Sequence, residues 1–449
     1  MKARGTDPSS LLPDTPYNPP TTTPFPLTRA KVNFWGVASG EDETNSFGYF
    51  SVPGILGNPT IEIQAQCLNS DFHIVASQGP TVLDHQSGLA SQYYTLRLNE
   101  TPSELTTSQI NAFVWTQKSR AYADSLYAIA NLSVPHRFTW AYVNFVSTND
   151  LEVAPCGARY HFPSNQFWFP KSGQSFSVPE GQINCVNMAY STVVAHEYGH
   201  HVQREMQIAV EYHSFSAGAG ANYEGSADVF ATYLTEQPII GQDRHGTGTF
   251  VRDLSVDIVF PTTSSDAHFI GRTLAGSFWD LFVALRDSPV GGTSIARSFY
   301  IFYMNDYFFN KSTPEEIDER VGERLELIDL SKYGGYYKQF IINAFVPHNL
   351  YRLNFVRGDV NGDGYVGYSD VVALSDYLDD GYPVPGCLDA CDMTNDNQVN
   401  TSDTAYLVSH LYYGYPPPVA PYPTCGRDPV GGLGGGRDHL TCLQSPCPQ

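Results

Sequence analysis

The chain has 449 residues, 46 of them Asp or Glu and 25 Lys or Arg, which gives a formal net charge of −21. This length predicts two or three domains. The acidic balance without any Lys/Arg cluster argues against nucleic-acid binding, and no apolar run is long enough for a transmembrane segment.

The cysteines indicate an oxidising compartment. Five of the eight lie in a Pro/Gly-rich C-terminal region, and they are Cys387, Cys391, Cys425, Cys442 and Cys447. Such clustering predicts disulfides. Cys156 and Cys185 flank a histidine-rich segment and could form another bridge, while Cys67 stands apart. The chain is therefore expected to be secreted or at a cell surface, although its opening MKARGTDPSSLLPD has no apolar leader.

The N-terminal part divides into an extended segment and a β-rich module. Residues 1–28 are rich in Pro and Thr, which predicts an unpacked segment. Residues 29–104 show short alternating runs separated by turn signals, which predict strands. In TIEIQAQCL, the alternation predicts a strand face formed by Ile61, Ile63, Ala65 and Cys67.

The chain as a whole is predicted to be of the α+β class, and residues 105–354 are predicted to form one domain. Apolar residues recur at helical spacing from Thr107 to Ala130. Strands are predicted in HRFTWAYVNFVS and NQFWFPKSG. The next long helix is predicted to begin near Asn187.

That helix contains a His-Glu-x-x-His motif in the segment AHEYGHHVQ. His196 and His200 stand on one helix face about 6 Å apart, so both imidazoles can reach one Zn²⁺ with Glu197 beside it. A polar helix face is the competing interpretation of the motif alone. His201 has no ligand at helical spacing, which favours a supporting or solvated role.

A candidate third ligand favours the metal interpretation. The segment NYEGSADVFATYL places Glu224 and Asp228 four positions apart at the start of a predicted helix. A carboxylate from a second helix completes a His₂Glu site and leaves the fourth position for water, as in catalytic zinc sites. Asp228 is placed to accept the other ring N–H of a ligand histidine.

The motifs HEYGHH, EGSAD and DAHFIGRTLAGSFWDL resemble those of the thermolysin-like zinc metallopeptidases, most of all the secreted fungalysin-like members, over about residues 105–285. The resemblance implies a two-lobed zinc peptidase domain around an active-site helix. The zinc ligands that it implies are His196, His200 and Glu224, and the general base is Glu197. It assigns Asp228 to orienting a ligand histidine.

The resemblance also implies a mechanism. Glu197 takes the proton of a zinc-bound water as this water attacks a peptide carbonyl, and passes it to the leaving amine. His268, from DAHFIG, matches the histidine that hydrogen-bonds the oxyanion; a surface histidine beside two Asp residues is the competing interpretation. The family also uses a Tyr between the zinc segments. Tyr212 is the candidate and Tyr223 the alternative, and either also suits the core.

Three functions stay open, and one departure from the family makes loss of turnover conceivable. The substrate-lining edge strand usually carries Asn-Ala, whereas here Cys156 is followed by Gly157 and Ala158. The favoured function is a secreted zinc endopeptidase acting on proteins or peptides. The alternatives are a binding or adhesion protein that lost turnover and a zinc hydrolase of non-peptide amides. The retained ligands, base and histidine favour the peptidase.

The C-terminal part contains two segments with calcium-loop spacing. GDVNGDGYVGYSD has Gly364 at the sixth loop position and offers the Tyr365 carbonyl at the seventh. Its side-chain ligands are Asp359, Asn361, Asp363 and Asp370. CDMTNDNQVNTSD repeats the pattern with Asn397 at the sixth position. The ligands of this second loop are Asp392, Thr394, Asp396 and Asp403.

These two loop-and-helix repeats, residues 357–413, resemble a type I dockerin domain. An apolar stripe is predicted along each following helix, and its members are Leu374, Leu378, Leu407 and Leu411. The resemblance implies about two Ca²⁺ ions and a cohesin-like partner. The first loop is expected to bind Ca²⁺ more tightly because Thr394 is a neutral ligand. Residues 414–449 are predicted to be a tail held by disulfides.

Overall fold

The computed structural model combines α-helices with small β-sheets, which confirms the predicted mixed α+β class. The structure describes residues 2–6, 24–36, 39–51, 57–146, 157–173, 175–178, 181–184, 186–206, 217–244, 248–309, 316–428, 440, 442–445 and 447. The chain divides into two compact units. The first is Met1–Leu254 with Tyr300–Glu315, and the second is Ser255–Phe299 with Glu316–Gln449. The domain boundaries predicted from the sequence stay predictions.

The strands are short and belong to several sheets. In chain order they are β1 (Lys2–Thr6), β2 (Pro24–Pro26), β3 (Lys31–Gly36), β4 (Gly40–Glu43), β5 (Thr60–Gln66), β6 (Phe72–Ala76), β7 (Leu83–Leu89), β8 (Thr95–Arg97), β9 (Thr139–Phe145), β10 (Arg159–His161), β11 (Gln166–Pro170), β12 (Ser175–Val178), β13 (Gly181–Asn184), β14 (Ile239–Ile240) and β15 (Arg252–Asp253). The larger sheets have the orders β4-β3-β5-β7 and β10-β11-β9-β6. The smaller ones are β2-β1-β8, β12-β13 and β14-β15.

The helices lie mainly in the C-terminal two thirds of the chain. They are α1 (Glu104–Ala130), α2 (Ser191–Met206), α3 (Ala217–Thr235), α4 (Ala267–Arg286), α5 (Thr293–Tyr307), α6 (Val321–Tyr333), α7 (Lys338–Phe345), α8 (Tyr368–Asp380) and α9 (Thr401–Tyr413). Within the ranges that the structure describes, no helix is long and apolar enough to cross a membrane.

The alternation in β5 produces the predicted buried face. Ile61, Ile63, Ala65 and, just after the strand, Cys67 are all buried, while the residues between them are more accessible. The strand β5 lies between β3 and β7 and pairs antiparallel with both. The strand β6 instead pairs parallel with β9, so the N-terminal β-rich segment and the following helical region share one sheet.

Three predicted helix starts differ from the observed ones. The helix α1 begins at Glu104 because Ser103 and Thr106 form a capping box. The helix α2 begins at Ser191 rather than near Asn187, whose side chain accepts the Ala189 N–H in a preceding turn. The helix α3 already begins at Ala217, so the prediction that Glu224 stands at a helix start was wrong. Glu224 lies near the middle of α3.

In the second unit, α4 packs against α7, α6 packs against α7, and α8 packs against α9. Leu374 on α8 and Leu407 on α9 are fully buried, and Leu378 and Leu411 are half-buried. The predicted apolar stripes are therefore the faces that join these two helices.

Candidate metal centre

The approach of α2 to α3 brings the predicted zinc ligands together. Gly199 lies on the α2 face that meets α3, and a Cβ atom there would stand only 2.8 Å from the Cα of Ala227. Because glycine has no Cβ atom, the two helix backbones can come unusually close at this position. The helices can then place short and medium-length side chains opposite one another.

The carboxylate of Glu224 faces both histidines of the motif. Its Oε2 lies 3.3 Å from the Nε2 of His196 and 3.3 Å from the Nε2 of His200. One donor atom from each residue lies within 4.8 Å of the other two. The two imidazole planes are nearly perpendicular, at 82°. Both histidines are buried, so the three donors converge on one protected point.

The Nδ1 atom of His196 is held by Asp228, which lies 2.8 Å away. Arg252 holds Asp228 in turn: its Nη2 donates to Oδ1 at 2.7 Å, and its Nε lies 2.7 Å from Oδ2. Burial lowers the pKa of His196, but Asp228 together with Glu224 outweighs that effect and raises this pKa to about 10. Burial raises the pKa of Asp228, whereas Arg252 and His196 hold it below its ordinary value. Asp228 is thus an ionised acceptor for the Nδ1–H of His196.

The Nδ1 atom of His200 is held by a neutral acceptor. The Nε2 of Gln203 donates to the Tyr223 carbonyl at 2.7 Å and to the Ser226 hydroxyl at 2.8 Å. Its Oε1 therefore faces the Nδ1 of His200, at 3.1 Å. The ring of Tyr223 stacks on His200 with centroids 4.1 Å apart. Tyr223 is buried and supports the ligand through its ring.

Other predicted site residues lie in different surroundings. Glu197 follows His196 on α2, is buried, and its charge helps to raise the pKa of Arg252. His268 belongs to the second unit, where it lies at the start of α4 with its Nδ1 3.3 Å from Oδ1 of Asp266 and about half of its side chain exposed. Its oxyanion role stays a prediction. Tyr212 lies outside the described residues, as do Cys156 and Cys185.

His201 is buried, not solvated: its Nδ1 lies 3.0 Å from the Tyr160 hydroxyl and its Nε2 lies 3.4 Å from Glu205. These partners keep His201 in the packed core beside the motif. Gly157 and Ala158 directly precede β10, which is an edge strand of its sheet.

The donor set fits a catalytic zinc ion. Two imidazoles and one carboxylate are the ligands of His₂Glu zinc sites, which keep a fourth position open. Each histidine has an acceptor at its Nδ1, so its Nε2 is the atom that faces Glu224 and can bind the metal once it is deprotonated. The sequence reveals neither Arg252 nor the acceptor role of Gln203, because both depend on tertiary contacts.

The first C-terminal loop is folded around its acidic side chains. The two carboxylate oxygens of Asp359 accept the backbone N–H groups of Asp363 and Gly364, each at 3.0 Å. Asp370 accepts the Asn361 N–H at 3.1 Å and caps α8 by accepting the Gly367 N–H at 2.8 Å. Gly364 has φ +86°, the left-handed conformation that the sixth loop position requires.

The second loop repeats this arrangement. Asp392 accepts the N–H groups of Asp396 at 3.2 Å and Asn397 at 2.8 Å. Asp403 accepts the Thr394 N–H at 3.0 Å and caps α9. Asn397 has φ +64° and so takes the role of Gly364. The two loops are therefore built alike, in agreement with their sequence repeat.

Covalent and polar contacts attach the tail to these loops. Disulfides join Cys387 to Cys442 and Cys425 to Cys447, which confirms that the tail is held by disulfides. Cys391 is a buried free thiol, so the expectation that it forms a disulfide was wrong. Arg357 is fully buried and its Nη2 donates to Asp428 at 2.5 Å. The start of the repeat region is thus fixed to the tail.

The fold and the loops define the C-terminal region as a calcium-binding module with two loop-and-helix repeats. Residues 357–412 match the family model for the dockerin type I domain. This region is therefore a type I dockerin domain, which implies Ca²⁺ binding and attachment to a cohesin. Dockerin modules occur in secreted or cell-surface proteins, and the tail disulfides are compatible with such a location. No curated protein matches the chain.

Proposed function

We propose that the chain is a secreted zinc-dependent endopeptidase that its dockerin domain attaches to a cohesin. The observation that carries the peptidase proposal is the convergence of His196, His200 and Glu224 from two closely packed helices. A polar helix face explains this arrangement poorly, because its histidines would face solvent. Here both are buried and each has an acceptor for its second ring nitrogen.

The chain's own residues prepare the site for hydrolysis. Asp228 and Gln203 fix the ring orientation of His196 and His200, so both Nε2 atoms face the position that a metal would take. Zinc bound there would supply Lewis acidity and lower the pKa of water to about 7. Glu197, the carboxylate next to His196 in sequence, would take a proton from that water and return it to the leaving amine.

The dockerin domain gives the proposed enzyme a point of attachment. Its two calcium loops and the buried contact between α8 and α9 form one folded unit that a cohesin can recognise. Tethering raises the local concentration of an enzyme near a substrate held by the same assembly. We therefore propose that the substrate is a protein or peptide found where the cohesin-bearing partner is located.

The proposal is tested by casein cleavage with the full-length protein, one equivalent of zinc and excess Ca²⁺. Glu197→Gln keeps the size of the side chain but removes its basicity, so cleavage should fall by about 10²–10⁴-fold, the usual contribution of general-base catalysis. Glu100→Gln, on an exposed side chain, serves as the matched control and should leave cleavage unchanged. Equal cleavage by Glu197→Gln and the wild type would refute the assigned base. No cleavage by zinc-loaded wild type would favour a binding protein.

A further inference from the structure

A second group of metal-binding residue types lies in the second unit. It consists of Asp257 in the loop after β15, Asp280 on α4, and His348 at the end of the short 3₁₀ turn that follows α7. One donor atom from each lies within 4.8 Å of the other two. Among the described residues, only this group and the His196 triad have such an arrangement.

The imidazole of His348 is oriented by the backbone. Its side chain is completely buried, and its Nδ1 lies 3.1 Å from the Ile258 carbonyl oxygen. Because a carbonyl only accepts hydrogen bonds, Nδ1 carries the proton. In the neutral ring, Nε2 then bears a lone pair, which points to Oδ2 of Asp280 at 3.1 Å and Oδ1 of Asp257 at 3.7 Å.

Three acceptors therefore meet at one place. In the part of the chain that the structure describes, no Lys, Arg or backbone N–H is bonded to the carboxylate of Asp257 or Asp280. A proton on Nε2 would satisfy Asp280, but Asp257 lies too far away for a good hydrogen bond. The group would also keep a net negative charge. A divalent cation would bind all three donors and neutralise both carboxylates.

The surroundings hold this group in a fixed arrangement. The Phe260 N–H donates to the His348 carbonyl at 2.9 Å, and the side chain of Asn349 donates to the Phe260 carbonyl at 2.8 Å. On α4, a Cβ atom at Gly276 would stand only 2.6 Å from the Cε1 of His348. The absence of a side chain at Gly276 thus makes room for the imidazole against α4. An imidazole whose Nδ1, backbone and ring contacts are all fixed in this way is preorganised for metal binding.

We propose that Asp257, Asp280 and His348 form a second zinc site, separate from the His196 triad. One imidazole and two carboxylates are zinc ligands, and the backbone acceptor at Nδ1 is the partner that a ligating histidine commonly has. The three ligands come from three segments of the chain. The bound ion would therefore act as a structural tether that joins the loop containing Asp257 to α4 and to the 3₁₀ turn after α7.

The test is the zinc content of the full-length protein, measured by elemental mass spectrometry after dialysis against micromolar zinc with millimolar Ca²⁺ to occupy the dockerin loops. The wild type should retain two zinc ions per chain, and Asp257→Asn/Asp280→Asn should retain one. Both carboxylates are partly exposed, so this isosteric change leaves the core intact. Asp287→Asn, an exposed residue at the end of α4, is the matched control and should retain two.

A second measurement distinguishes tethering from loose surface binding. Zinc should raise the melting temperature of a His200→Asn variant, in which the triad is disabled, and this rise should disappear when Asp257→Asn/Asp280→Asn is added. Circular dichroism verifies that each variant is folded. The proposal is overturned if the double Asn variant retains as much zinc as the wild type, or if zinc leaves the melting temperature of His200→Asn unchanged.

Discussion

The carboxylate of Asp228 lies 2.8 Å from the Nδ1 of His196 and is also paired with the buried Arg252, whose Nε lies 2.7 Å away. This relationship connects the candidate metal centre to the interior of the first unit. The Arg252 guanidinium keeps Asp228 ionised, and the ionised carboxylate fixes the imidazole. A ligand that is oriented in this way loses little conformational entropy when it binds a metal.

Asp228→Asn is therefore expected to weaken zinc binding by about 10–100-fold, the usual effect of losing such a partner. The amide keeps the shape of the side chain but loses the charge that holds the Nδ1–H and the guanidinium. Competition with a chromophoric chelator measures the affinity. The matched variant Asp287→Asn, far along the sequence on an exposed position, should bind zinc as the wild type does. Unchanged affinity in Asp228→Asn would contradict the orienting role.

Zinc binding is expected to strengthen as the pH rises from 6 to 9. The pKa of His196 is raised from 6.5 to about 10 in the metal-free site, so folding favours the protonated ring and zinc must displace that proton. Each pH unit in this range should increase the apparent affinity by up to about tenfold for one proton released. Calorimetry in buffers of different ionisation enthalpy counts the protons. Binding without proton release would show that Asp228 and Glu224 do not raise this pKa.

Gly199→Ala is expected to destabilise the protein, although replacing glycine by alanine within a helix ordinarily stabilises it by about 0.5–1 kcal/mol. The added methyl group would stand 2.8 Å from the Cα of Ala227, so α2 and α3 must separate. Overpacking of this kind costs about 1–3 kcal/mol. Denaturant unfolding followed by circular dichroism measures the change. A variant that is more stable than the wild type would contradict the close helix contact.

The full-length protein is expected to bind two Ca²⁺ ions, one in each dockerin loop. Asp370→Asn should remove the first site and Asp403→Asn the second, because each carboxylate organises one loop. Burial and neighbouring carboxylates raise the pKa of Asp359 and Asp370. Since Ca²⁺ binds the ionised form, affinity at the first loop should fall as the pH decreases towards 5. Calorimetry that finds one site in wild type, or two in either variant, would refute this assignment.

The features predictable from the sequence are those whose residues are close together along the chain. His196 and His200 share a helix face, and all ligands of each calcium loop fall within one short segment. Arg252 and the group of Asp257, Asp280 and His348 depend on long-range contacts, for which local spacing gives no signal. The start of α3 was missed because alternating Ala and Gly are typical of flexible segments. Packing against α2 instead makes small residues favourable there.

The most direct test of the peptidase proposal is cleavage of unfolded casein by the zinc-loaded full-length protein in H₂¹⁸O, followed by mass spectrometry of the fragments. The account predicts internal cleavage in which each new carboxyl terminus gains one ¹⁸O atom, with no such fragments from Glu197→Gln. Mass spectrometry of the same samples also gives the side-chain preference around each cleaved bond. Wild-type protein that retains zinc in the His196 triad and yields no ¹⁸O-labelled fragments would contradict the proposal.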